Sequence, residues 1–444
     1  MPARLIIPAL ALSQAASAVA ESGAALVPAE LEVELEAVTG LENDLSDLAE
    51  LTLRPTWENP SEDGLDYTLS LRMRVAAADD FTPGRPDRTG YASISRPVAL
   101  GDAGEIELRD AYVDFELGDL DLRLGKQQIV WGKLYGFKLL DVVNPQSFRR
   151  FILDEFDESR IGLWTINARA PLPDIGLGDW TGQVIVSPDT TVHRLPNPGS
   201  TFDLTAPRFR FGLRPEDPVP DAIRTERPDN PIDDAVFGAR LAGFVRGIDL
   251  SFVMVSGLDP QPLGRLETEG DTTTLVRFNK RRTLFGASAA GNVGRVVLRF
   301  EAGFTPNRSI QTRLGNGVLS DAQADQLGIA VAADFSGPFD TFMSFQVLQD
   351  MILTEVEGNV RPDNDTLISA FVRRSFIDDK LTASVQLLAA DGLTNFVLRP
   401  RVTYEFDDTT RISLGADIFS GNSDEIFGQF ADRDQITLGI IRTF

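Results

Sequence analysis

Residues 104–132, GEIELRDAYVDFELGDLDLRLGKQQIVWG, decide the fold. From Glu105 to Leu117 apolar and polar residues interleave, Gly118-Asp119 supplies turn chemistry, and Leu120, Leu122 and Leu124 alternate with Asp119, Asp121 and Arg123. Period-two alternation on both sides of a two-residue turn marks an antiparallel hairpin with one oily and one wet face. The next stretch, 133–160, reads KLYGFKLLDVVNPQSFRRFILDEFDESR, with both signs of charge and four phenylalanines in one connection. A loop of that length in a compact fold is usually functional.

The run LRDAYVDF, LDLRLGKQQIVWGK and LDVVNPQSFRR, within roughly residues 105–165, resembles a strand pair and inward loop of porin-like outer-membrane β-barrel proteins of Gram-negative bacteria, in a family without assigned function. That resemblance implies that the loop folds into the lumen as a constriction. Periodicity alone does not show it.

The same alternation recurs along the chain. Segments near 30–38, 48–57, 65–76, 105–117, 119–130, 161–169, 179–187, 235–245, 248–257 and 274–289 read as strands, followed by 294–304, 325–335, 339–349, 365–376, 380–390, 395–406, 409–419 and 434–444. Eighteen strands are expected, with sixteen as the alternative if the first two segments are not strands. Short connections such as Gly118-Asp119, Arg246-Gly247, Asp378-Asp379 and Asp407-Asp408 alternate with long ones. Transmembrane barrels place short periplasmic turns and longer outside loops in this order. The longest connection, 188–234, holds nine prolines and is expected as an irregular external loop rather than strand or helix, an interdomain linker being the other reading.

These features predict an all-β chain, a single transmembrane antiparallel β-barrel over 21–444. Strands with one apolar face can sit in a bilayer only when closed, because unpaired edges in hydrocarbon are prohibitive. Nothing after the N-terminus approaches the roughly 20 continuous apolar residues of a membrane helix. Residues 1–20, MPARLIIPALALSQAASAVA, with Arg4, an apolar stretch and an A-x-A ending, read as a secretory signal peptide; a buried helix is the other reading. The C-terminal DQITLGIIRTF alternates Ile436, Leu438, Ile440 and Phe444 with polar residues. It resembles the strand signal, ending in Phe444, that the bacterial barrel-assembly machinery reads, although Arg442 departs from the pattern. Outer-membrane lipid and that machinery are the expected partners, and the bacterial outer membrane the expected location.

A formal charge of -24 over 444 residues argues against nucleic acid, whose phosphates need Lys and Arg, and against anionic lipid surfaces. The absence of cysteine excludes disulfides and thiolate metal sites. His193 is the only histidine, so paired-His metal sites are impossible, and its Pro-rich surroundings read as a solvated loop. The acidic cluster at 154–158 lacks the spacing of a calcium loop, and no phosphate-binding glycine motif follows a strand. No cofactor, no metal and no enzymatic activity are expected.

A barrel of sixteen or eighteen strands encloses a lumen that side chains do not fill. The expected function is therefore an outer-membrane channel for passive diffusion of small solutes, narrowed by an inward loop at about 132–160. Its candidate constriction residues are Lys126, Lys133, Arg149 and Arg150 opposite Asp154, Glu155, Asp157 and Glu158, since facing opposite charges orient polar solutes. Phe148, Phe151 and Phe156 are the candidate anchors of the loop, and Trp131 is read as an interfacial aromatic at a strand end. The alternatives are a lumen plugged by its own loops, a conduit for hydrophobic molecules, an adhesive or structural barrel, an outer-membrane hydrolase, and a soluble all-β protein.

Overall fold

The computed structural model describes residues 27–41, 47–59, 65–78, 89–173, 178–227 and 230–444. The signal peptide expected over 1–20 lies outside them. The wall begins with β1 (Glu30–Gly40), β2 (Leu48–Asn59) and β3 (Leu65–Ala78), and a short β4 (Val98–Leu100) pairs on β5 (Gly104–Leu117). It continues through β6 (Leu120–Gln127), β7 (Leu163–Pro171) and β8 (Asp179–Ser187). After β9 (Ala222–Thr225), which stands outside the wall, come β10 (Val236–Val245) and β11 (Ile248–Leu258). The hairpin β12 (Leu263–Glu269) and β13 (Thr272–Phe278) pairs with β9, not with the wall. The remaining wall strands are β14 (Arg281–Val293), β15 (Val296–Arg313), β16 (Leu319–Ser336), β17 (Phe342–Ile352), β18 (Asn364–Phe376), β19 (Leu381–Ala390), β20 (Asn395–Asp407), β21 (Thr410–Ser420) and β22 (Gln435–Thr443).

Without β4, β9, β12 and β13 these make eighteen strands, each antiparallel to both neighbours, and β1 pairs with β22 so that the sheet closes. Closure leaves no edge. The strand count of eighteen is thus observed, and sixteen is not. One expected strand is corrected: 274–289 is two elements, broken at Asn279-Lys280, of which β13 turns away into the three-stranded sheet.

The wall has two faces because its side chains alternate. In β11, Phe252 and Met254 are exposed while Val253 and Val255 are buried. In β17, Phe345 and Val347 are exposed while Ser344 and Gln346 are buried inside. An outer surface that leaves Phe237, Phe252, Phe285, Phe300 and Phe345 uncovered suits hydrocarbon and not water. In β22, Ile436 and Leu438 are exposed whereas Gln435 and Thr437 are buried, and Phe444 and Arg442 continue the outward face, the Arg442 guanidinium 5.0 Å from the Phe444 ring centre.

The connections alternate as expected. At one end they are tight: Arg246 and Gly247 both adopt positive φ, the geometry that matches the twist of a hairpin. At the other end lie 128–162, 188–235, 259–280 and 421–434. Both described termini meet at the short-turn end, where the Phe444 backbone N–H donates to the Leu31 carbonyl at 2.9 Å. Among the described residues no helix is long and apolar enough to cross a membrane.

Candidate functional site

The segment 128–162 enters the barrel and crosses it. Its two ends are stapled by Asn144, whose Oδ1 accepts from Ile129 N at 2.7 Å and whose Nδ2 donates to the Ile161 carbonyl at 2.8 Å. Arg160 and Asp141 form a buried pair at 2.8 Å. Between those staples the segment has an apolar half and a charged half, and each meets a different wall.

The apolar half, 129–143, packs on strands across the lumen. Trp131, Leu140 and Val143 cluster with Ile185, Val236, Val253, Val255 and Leu284. Leu134, flanked by Phe137 and Leu139, packs on Ala330, Ala332 and Leu348. The far wall accommodates them by being small: a Cβ on Gly328 would come within 2.4 Å of Leu139, and one on Gly286 within 2.5 Å of Leu140. Glu301 of β15 accepts from the backbone N–H groups of both Lys133 and Leu140, the latter at 3.1 Å. Trp131 therefore corrects the expectation of an interfacial residue: it is 1% exposed, inside the lumen, and its Nε1 donates to Gln183.

The charged half docks on β1, β2, β3 and β5, which point a ladder of charges inward. Arg54 bridges Glu32 and Glu34 at 2.7 and 2.8 Å, Arg72 meets Glu107 at 2.5 Å and Arg74 meets Glu105 at 3.1 Å. The segment joins this ladder: Arg149 makes a two-pronged contact with Glu50 at 2.6 and 3.0 Å, Arg150 meets Glu36 at 2.7 Å, and Glu158 meets Arg72 at 2.7 Å and Arg54 at 3.2 Å. Arg109 donates to the carbonyls of Asp157 and Arg160. Buried ions persist only when paired and hydrogen-bonded, and here segment and wall each supply what the other lacks. Burial alone would raise the Glu158 pKa, but the Arg72, Arg54 and Arg109 guanidiniums hold it well below the usual carboxylate range.

The expected constriction residues are thus brought together, but mostly with wall partners and not with one another. Among them Arg150 and Asp154 form an ion pair, at 3.9 Å. Glu155 and Asp157 are exposed side chains inside the barrel. Lys126 is buried on β6, with its Nζ 3.5 Å from the Ser95 carbonyl, and Lys133 pairs with Asp249 at 2.8 Å. Of the expected anchors, Phe151 lies among Phe427, Phe430 and Phe419, with a ring separation of 4.8 Å to Phe430. Phe151 holds a positive φ of 55°, a conformation that a bulky residue keeps only when its surroundings impose it. Phe148 sits edge-on to His193 at 5.1 Å, and Phe156 lies under the Lys138 ammonium at 4.3 Å. Burial pushes the Lys138 pKa down to about 8, with Asp141 opposing.

The Pro-rich connection covers the same end of the barrel. Phe148 N donates to the Arg194 carbonyl and Arg194 N to the Gln146 carbonyl, at 2.8 and 3.0 Å, so cover and crossing segment run side by side. Arg194 also reaches Glu105 at 2.8 Å, the Thr205 and Ala206 amides donate to Gln429 Oε1, and Arg208 meets Asp365 at 2.6 Å. His193 corrects the expectation of a solvated residue: its Nδ1 accepts from Gln146 N at 2.8 Å, and burial pushes its pKa down to about 3, Asp259 opposing and Arg282 reinforcing.

Beside the crossing segment lies a cavity of ≈100 Å³ lined by Glu34, Glu36, Glu50, Asp154, Glu155 and Glu158 together with Arg54, Arg74, Arg149, Arg150, Arg399 and Arg401. A second space of ≈440 Å³, lined by Asp66, Asp114, Glu116, Asp121, Arg123 and Arg169, lies among the short-turn ends of β3 and β5–β8.

The profile of a family described as a protein of unknown function, DUF1302, matches residues 42–398, more than half of the chain. The chain belongs to DUF1302. Its membership agrees with the resemblance to a porin-like family without assigned function. No curated protein matches this DUF1302 chain. Among solved structures, Wzi of Escherichia coli, a carbohydrate-binding β-barrel and outer-membrane protein involved in group 1 capsule assembly, is 11% identical with a TM-score of 0.48, covering 93% of this chain and 84% of Wzi. OmpF of Salmonella typhi in complex with daunomycin is 11% identical with a TM-score of 0.41, covering 94% and 96%. A loop-deletion mutant of OmpT, an outer-membrane protein of Vibrio cholerae, is 10% identical with a TM-score of 0.40, covering 94% and 97%.

Sequence reasoning missed Glu36, Glu50, Arg54, Arg72, Arg74, Glu105 and Glu107 of this DUF1302 barrel. Their signal was present: charges at i, i+2 on a strand, as in Glu32-Glu34-Glu36, Arg72-Arg74 and Glu105-Glu107, mark a polar face that needs partners.

Proposed function

We propose that this barrel is a passive channel of the bacterial outer membrane, in which small polar solutes pass between the crossing segment and the wall formed by β1–β3 and β20–β22. The observation that carries this reading is the cavity in which Glu34, Glu155 and Asp154 share a narrow space with Arg150, Arg399 and Arg401. Transverse charge of both signs orients dipolar solutes and rejects apolar ones. Location in the outer membrane is supported by the closed wall, its apolar outer surface and the alternation of short and long connections. Solutes cross without energy input, and no catalytic step is involved.

Purified protein in a planar bilayer tests it: discrete, small conductance steps are expected. A correctly folded barrel that inserts but passes no current sinks the channel. The second reading, a closed plug, is favoured by the contact of the crossing segment with the far wall at Ser369. It predicts silence in the parent and current only after deletion of 146–157, whereas the channel predicts current in both, larger after the deletion.

A further inference from the structure

We infer that the cavity of ≈100 Å³ beside the crossing segment is a binding site for small zwitterions, which meet Glu155 with an ammonium group and Arg401 with a carboxylate. This names the solute class of the channel proposed above and rests on that reading. Internal pairing decides which charges are left for a solute. Arg54 holds Glu34 at 2.8 Å, Arg150 holds Glu36 at 2.7 Å, Arg149 holds Glu50 at 2.6 Å and Arg72 holds Glu158 at 2.7 Å. Arg74 is paired with Glu105 at 3.1 Å and Arg399 with Asp417 at 2.8 Å, while Asp154 reaches Arg150 at 3.9 Å. Among the described residues that line the cavity, Glu155 and Arg401 are the charged side chains without an ion pair.

The fold brings these two charges to one small space without pairing them. Arg399 donates to the Leu153 carbonyl at 2.7 Å and so ties the segment to β20. Arg401 is the next inward side chain on β20, because residues two apart on a strand share a face, and Glu155 stands two residues beyond Leu153 on the segment. Gly415 on the neighbouring strand leaves room for the Arg401 side chain: a Cβ there would lie 3.4 Å from its Nε. A carboxylate is the planar acceptor that matches a guanidinium fork. A solute with a single charge satisfies one of the two groups and brings a like charge to the other. Leu153 is the one apolar side chain of the lining, so a bulky apolar body has little to pack against.

Calorimetric titration of the full chain in detergent at neutral pH tests the site without any measurement of current. The probes are alanine, which carries both charges, alaninamide, which keeps the ammonium alone, and N-acetylalanine, which keeps the carboxylate alone. Alanine is expected to bind at least about tenfold more tightly than either, the contribution of one charge-assisted hydrogen bond. Arg401→Gln is expected to remove the preference over alaninamide and keep the preference over N-acetylalanine, and Glu155→Gln to do the reverse. A merely structural role for either residue would weaken all three probes together. No binding of alanine, equal binding of the three probes, or variants that weaken every probe alike overturns the inference. Failure of the channel reading has a different signature: alanine binds with these preferences while the parent passes no current in a planar bilayer.

Discussion

Gly136 rests against Ser369, and the strand that carries Ser369 lies half-way round the barrel from the one at which the crossing segment leaves the wall: β6 is the fifth of eighteen and β18 the fourteenth. A Cβ at position 136 would fall 2.2 Å from the Ser369 Oγ and 2.4 Å from its Cβ. Gly136→Leu is therefore expected to lift the tip of the segment off the far wall and raise single-channel conductance, at a stability cost of about 1–3 kcal/mol from overpacking. Ser369→Gly in the same chain removes both clashing atoms and should restore parental conductance; no rescue would mean that the tip does not set the aperture.

The pair Glu50–Arg149 is buried on both sides, at 5% and 3% side-chain exposure. Removing either partner strands the other's charge, so Glu50→Ala or Arg149→Ala alone should destabilise docking by roughly 3–5 kcal/mol. The double variant should cost much less than the sum of the two. Urea unfolding in lipid, arranged as a double-mutant cycle, measures this. Additive costs would mean that the contact is not formed in the membrane.

His193 gives the docked segment a pH dependence of definite sign. Above its ordinary pKa of 6.5 the imidazole is neutral in folded and unfolded chains alike, and contributes no slope. Below 6.5 the unfolded chain takes up a proton that the folded chain refuses until about pH 3, so stability falls with acidity by up to ~1.4 kcal/mol per pH unit across that window. Protease susceptibility of 128–162 should rise accordingly between pH 6 and 4. His193→Gln, which keeps an acceptor for the Gln146 amide, should flatten that rise, and an unchanged profile would locate the titration elsewhere.

A KCl gradient across a planar bilayer should give a reversal potential of mild cation preference, because Glu155 and Asp157 are exposed inside the barrel while Arg149 and Arg150 are neutralised by wall carboxylates. Glu155→Gln should weaken the preference. Clear anion preference in the parent would mean that Arg399 and Arg401 dominate the passage.

The strands were legible because water inside and hydrocarbon outside impose the same alternation on every wall strand, even where a strand is short. All eighteen expected segments overlap wall strands. The break at Asn279-Lys280 was hidden because β13 alternates just as β14 does, although it pairs in another sheet. The destination of 128–162 was legible only through resemblance. Which wall each half meets depends on pairs such as Arg149–Glu50 and Arg399–Leu153, separated by 99 and 246 residues, and local pattern carries no record of them. Trp131 shows the ambiguity directly: an aromatic at a strand end suits a lipid interface or a packed lumen equally well.

The seam between β1 and β22 joins the first strand among the described residues to the last. Until β22 pairs with β1, the sheet has two unsatisfied edges and Glu36 sits on one of them. Arg150, which meets Glu36, and Leu153, whose carbonyl accepts from Arg399 on β20, bind from the inside to strands on both sides of that seam. The crossing segment is consequently an internal brace whose contacts have very high sequence separation, and it can be fully seated only in the last act of folding. Contacts of this kind slow folding and prolong the exposure of open edges. Kinetic control of assembly is thus written into the same residues that occupy the lumen.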